Sequence, residues 1–180
     1  LGARNNSLRN ATPSVTPKDL SIQSNGKVET ANCYIVSAGG EYMFPAVYGN
    51  AKKDGKTNTA AYKPGGAGGN VLAQFFHGTG KITEPDITAG DKVEVLWQST
   101  PGLVTAAGVT KASGKNRFVK FRVDQTKMCE ASAIIALKKG NTICWSWHIW
   151  ITAPEVATTN SGYFMREPLG FRHTKWWKTT

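Results

Sequence analysis

The chain has 180 residues, enough to bury one hydrophobic core, with two very small domains the lesser arrangement. Its formal charge of +10 comes from 22 lysines and arginines against 12 acids, spread through loops and alternate strand positions without an arginine-rich tract, so solubility is the first reading of the basicity. No segment offers the roughly 18 to 20 consecutive apolar residues of a membrane-spanning helix, and no run has the three-to-four residue apolar spacing of a soluble one. Abundant glycine with recurrent threonine and valine therefore points to an all-β chain.

Residues 1–28 are rich in Asn, Ser, Thr and Pro, with isolated apolar residues Leu8, Val15, Leu20 and Ile22. They read as a polar arm or linker. The interval from Val15 to Ile22 could add an edge strand, whereas Pro13 and Pro17 argue against a central one. Leu1 to Arg4 lacks the apolar stretch of a secretory signal, and a cleaved signal would leave no trace in what remains.

Residues 29–155 carry the strand pattern of one domain. β-prone runs follow at 32–37, 42–48, 71–77, 92–98, 103–110, 117–123, 131–138 and 142–152, with another at 161–165. Gly39-Gly40, Ser113 to Asn116 and Gly140-Asn141 supply turn residues that tolerate positive φ, so antiparallel hairpins are expected. Gly49 to Asn70, with Gly65-Gly66 and Gly68-Gly69, reads as an exposed loop. Residues 156–180 read as a strand that completes the domain or leads to a partner.

Alternation assigns the faces. Val93, Val95 and Trp97 alternate with Glu94 and Gln98, and Val119, Phe121 and Val123 with Lys120 and Arg122, so Trp97 is expected in the core. Ala133, Ile135 and Leu137 share one parity, and Ile143, Trp145, Trp147 and Ile149 another. A two-residue loop at Gly140-Asn141 would set Leu137 opposite Cys144. A three-residue loop, Gly140 to Thr142, pairs Leu137 with Trp145 and Ile135 with Trp147 and buries the large side chains together. His148 and Trp150 then share the opposite face with Ser146, where they are candidate ligand contacts.

Cys33, Cys129 and Cys144 allow at most one disulfide and form no C-x-x-C pair, so a structural zinc site is not expected. Cys33 and Cys144 sit in apolar runs and read as small buried hydrophobes. The histidines His77, His148 and His173 form no recognised catalytic signature, and no G-x-S-x-G, H-E-x-x-H or P-loop occurs. Glu84 and Asp86 share a loop, a commonplace arrangement that gives little support for glycosidase chemistry. The expectation is a protein without enzymatic activity and without a cofactor.

The segment Trp145-Ser146-Trp147-His148-Ile149-Trp150, preceded in order by Ala31 to Val36, Tyr42 to Asn50, Val95 to Trp97 and Ala133 to Ala136, resembles the fimbrillin-like and major-paralogous-domain surface proteins of Bacteroidetes. The resemblance spans about residues 31–152. Downstream, members often read Met-Asp-Arg-Asn-Leu-Gly-Ala where this chain has Met165-Arg166-Glu167-Pro168-Leu169-Gly170-Phe171. It implies an antiparallel immunoglobulin-like or transthyretin-like β-sandwich of eight or nine strands, extracellular at the cell outer surface, in a lipoprotein or pilus subunit that assembles through terminal strands. The implied partners are copies of itself or related surface subunits, and membrane association would run through an anchor or partner outside this sequence. A glycan-binding adhesion module is the alternative, motivated by Trp176 and Trp177 between Lys175 and Lys178, where aromatic and basic groups together can stack on sugar rings. A virion or other filament domain is a further one. Nucleic acid is not an expected partner, because no recognition element accompanies the charge.

Overall fold

The computed structural model describes residues 2–64 and 80–153 and, for the backbone alone, 76–77, 156–159 and 162–165. A helix, α1 (Gly2–Asn10), precedes β1 (Ser14–Asp19), β2 (Cys33–Val36) and β3 (Gly40–Pro45). Two short hairpins follow, β4 (Lys52–Lys53) with β5 (Lys56–Thr57) and β6 (Phe76–His77) with β7 (Gly80–Lys81). Then come β8 (Lys92–Gln98), β9 (Val104–Val109), β10 (Phe118–Val123), β11 (Ala131–Lys139) and β12 (Thr142–Ile151), with a last hairpin of β13 (Val156–Thr159) and β14 (Gly162–Met165).

The chain is mostly β, and two four-stranded sheets carry it, ordered β1-β3-β10-β9 and β2-β12-β11-β8. Both sheets are mixed. β1 runs parallel to β3 and β2 parallel to β12, while the remaining neighbours are antiparallel. This corrects the purely antiparallel expectation. Hairpin turns enforce antiparallel pairing, but β1 and β2 each reach a partner from which they are separated by an excursion through the other sheet, and such crossovers leave the direction free.

Inward residues of both sheets meet in one core. Phe44 on β3 stacks on Tyr34 of β2 at 4.6 Å and lies 5.0 Å from Trp147 of β12, so aromatic rings bridge the sheets. Val119, Phe121 and Val123 on β10 are buried, as are Ala133, Ile135 and Leu137 on β11, following their alternation. Each such large side chain contributes about 1.5–3 kcal/mol by leaving water. Gly40 opens β3 at φ 127°, and a Cβ there would lie 2.3 Å from the Ser14 carbonyl oxygen. Only glycine lets β1 approach that closely.

The β11–β12 register pairs Leu137 with Trp145 and Ile135 with Trp147. It is reached differently from the expected three-residue loop. Lys139 pairs with Thr142 and Lys138 with Ile143 across the two-residue turn Gly140-Asn141, with Gly140 at φ 57°, and Cys144 is an extra residue that shifts the parity. A β-bulge thus reconciles the tight turn with the aromatic pairing. Cys144 is buried, as its apolar run suggested, whereas Ile143, expected inward, is 45% exposed.

Residues 1–28, expected as an arm, hold α1 and the edge strand β1, both applied to the domain. Leu8 is buried, and the Gln125 side-chain amide donates to the carbonyls of Leu8 and Arg9 at 3.0 and 2.8 Å while its oxygen accepts from the Gly39 N–H at 2.6 Å. The Asn5 side chain accepts the Glu130 N–H at 2.8 Å. The segment from Gly49 also departs from an exposed loop, because Ala51 and Tyr62 are buried within it. Gly65 to Gly69, and most of the strand expected at 71–77, lie outside the described residues.

Candidate functional site

The tryptophan-rich strand β12 lies inside the second sheet, between β2 and β11, so its outward side chains form rows with those of its neighbours. One row runs Cys33, His148, Ile134, Trp97. On one side lies the row Ile35, Trp150, Ser132; on the other, Ser146, Ala136, Glu94, then Ile143, Lys138, Lys92.

Trp97 enters this face through a second bulge. Ile135 pairs with Val95 but Ile134 with Trp97, leaving Leu96 as the extra residue. The parity set by Val93 and Val95 fails there, and Trp97, expected in the core, is 54% exposed. Gln98 takes the inward position, where its amide oxygen accepts the Val104 N–H at 2.8 Å and its amide nitrogen donates to the Val104 carbonyl at 3.2 Å. These bonds fasten β8 to β9, closing one seam between the sheets.

His148 is half-buried, with Nδ1 3.2 Å from Cys33 Sγ and its backbone N–H donating to Asn32 O at 2.8 Å. Burial pushes the Cys33 thiol up to about 11 and the imidazole pKa below its ordinary value. At neutral pH a neutral thiol therefore meets a neutral imidazole, without the thiolate that nucleophilic chemistry requires. Trp150, a candidate ligand contact, is 1% exposed on the outward face and removed from solvent. Trp147 is buried; Trp145 is half-buried, edge-on to Tyr48 at 5.2 Å, and its Nε1 donates to Asn32 Oδ1 at 2.9 Å. Trp176, Trp177, Lys175 and Lys178 lie outside the described residues.

Charge gathers on β8 and β11. The Glu94 carboxylate accepts from Lys92 Nζ at 2.8 Å and Lys138 Nζ at 3.3 Å, and these bonds hold its carboxyl below the usual range. Glu84 and Asp86 face separate lysines, Lys115 at 2.5 Å and Lys52 at 3.6 Å, so each acid is neutralised on its own.

Opposite the closed seam, β1 and β2 are edge strands of different sheets. A groove of about 400 Å³ runs between them, lined by Leu20, Ile35, Val36, Ala38, Tyr42 and the Lys18 stem, with Ser7 and Ala11 at the helix end. Ile35, Leu96, Trp97 and Ile143, all of the second sheet, are among the large apolar side chains left exposed, and Ile35 borders the groove. Sequence reasoning missed this groove because it depends on which edges the crossovers leave at the margins of the two sheets. The proline-flanked run from Val15 was its only local signal. A scan against protein-family models and searches of curated proteins and of solved structures return no match to this chain.

Proposed function

We propose that this chain is a non-catalytic structural domain of a cell-surface assembly, an immunoglobulin-like or transthyretin-like sandwich that joins other copies of itself through an added strand. The groove between β1 and β2 carries the reading, because it lies between strands that, among the described residues, have an unpaired edge, and its mixed lining includes the apolar Leu20, Ile35, Val36 and Ala38. An extended segment laid there gains main-chain hydrogen bonds from an edge and side-chain pockets from Leu20, Ala38 and Tyr42. The occupant is a terminal strand of a second copy, with 161–180 as the donor segment.

Size-exclusion chromatography with light scattering, followed by electron microscopy, tests this. The native chain forms concentration-dependent multimers or filaments. Ile35→Lys, at a groove position 39% exposed, and deletion of 161–180 each return it to monomer. A native chain that stays monomeric at every concentration, or multimers unchanged in both variants, would overturn the assembly reading.

A further inference from the structure

We infer that the outward face around Trp97 is a binding site for an acidic sugar, a pyranose ring bearing a carboxylate. It is independent of assembly through the groove, since Trp97 lies on β8 and the groove borders β2, at opposite edges of the sheet.

The Leu96 bulge turns an indole away from the core, and more than half of its surface meets water at 54% exposure. A large apolar ring left wet on a strand marks a contact surface more than a packing element. A hydrogen-bonding group lies along the same strand. Glu94 occupies the next row, about 7 Å along the sheet, the span of one ring with its substituents, while His148 and Ser146 lie two strands across the sheet, about 10 Å away. The indole face offers a platform for the C–H face of a sugar, and the surrounding groups offer partners for its hydroxyls.

Charge selects among sugars. Among the described residues, Lys92 and Lys138 share the single Glu94 carboxylate, leaving one positive charge in surplus at Glu94, one row from the indole, with the two lysines themselves rooted two rows, about 13 Å, away. Lys92 is 65% exposed, free to swing toward a second anion. A ligand carboxylate supplies that anion, and a neutral sugar does not.

Calorimetric titration of the full chain with oligogalacturonate, and with a neutral malto-oligosaccharide of equal length, tests the assignment. The acidic oligomer binds and shifts the Trp97 indole N–H resonance. Trp97→Ala weakens binding at least about tenfold, Trp97→Tyr retains most of it, and Lys92→Gln with Lys138→Gln removes the preference for acid over neutral sugar. Lys120→Gln on the other sheet and Ile35→Lys in the groove leave affinity unchanged, which separates this site from assembly. Unchanged binding in Trp97→Ala, equal affinity for both oligomers, tighter binding of a single-stranded oligonucleotide, or no binding at millimolar sugar would each overturn the proposal. Melting curves show whether each variant is folded.

Discussion

Arg117 shows what one side chain can organise. It is 2% exposed, and its guanidinium donates to the carbonyls of Ile87 at 2.6 Å, Gly90 at 2.5 Å and Lys111 at 3.1 Å, and also to that of Ala89. Burial lowers its pKa, yet the bound carbonyls replace much of the lost hydration. Arg117→Met leaves those oxygens without donors, and urea unfolding should show a loss of about 2–4 kcal/mol. Arg117→Lys should recover only part, because an ammonium lacks the planar fork that spans several carbonyls. The titrating residues set a pH window. Burial raises Cys33 to about 11 and Tyr34 and Tyr48 to about 12, so each binds its proton more tightly when folded. The stability they contribute is complete below their unfolded values and is lost as pH climbs from roughly 9 toward 12. His148, with its pKa lowered, has the opposite sign: its contribution is present above about 6.5 and falls away on acidification. Melting temperature against pH should peak between these limits. Cys33→Ser should flatten the onset of the alkaline fall, and a fall of unchanged shape would assign it to the tyrosines alone.

Among the elements, strands were legible wherever alternation was uninterrupted. Val119, Phe121 and Val123 announced the buried side of β10 because no bulge interrupts its pairing with β3. Trp97 and Ile143 misled for a common reason. Each lies beside an extra residue, Leu96 or Cys144, and a bulge reverses parity without altering the composition from which parity is read. The helix α1 was invisible for another. Its sequence is polar, Leu8 is its buried apolar residue, and a nine-residue helix is marginal alone, so tertiary tethers such as Gln125 hold it. The Trp97 face and the groove were equally hidden, the one created by a bulge and the other by crossovers. The closed seam makes a local prediction. Gln98→Ala should raise hydrogen exchange at the Val104 amide by tenfold or more while distant core amides on β11 change little, about 1 kcal/mol being at stake per bond. A uniform rise across the domain would mean that Gln98 supports the whole fold and not the β8–β9 seam.

At the scale of the whole molecule, the question is whether the N-terminal segment is an appendage or part of the domain. An appendage could be removed at no cost to stability. The structure ties it in at three levels: Leu8 is buried, Gln125 donates to its carbonyls while its Asn5 accepts the Glu130 N–H, and β1 completes the first sheet by pairing with β3. Removing residues 1–13 therefore loses the burial of Leu8, about 1.5–3 kcal/mol, and lets water reach the freed Gln125 and Glu130 groups. The domain should stay folded with a urea midpoint shifted down. Removing residues 1–19 goes further, stripping β1 from β3 and leaving an uncovered edge of main-chain donors and acceptors. That chain should aggregate as its concentration rises. The graded response separates the two views, since equal stability in the native chain and both truncations would return the segment to the status of an arm. It also bears on assembly: β1 forms one wall of the groove, so the shorter truncation should keep the ordered multimers that in the longer one give way to amorphous aggregate.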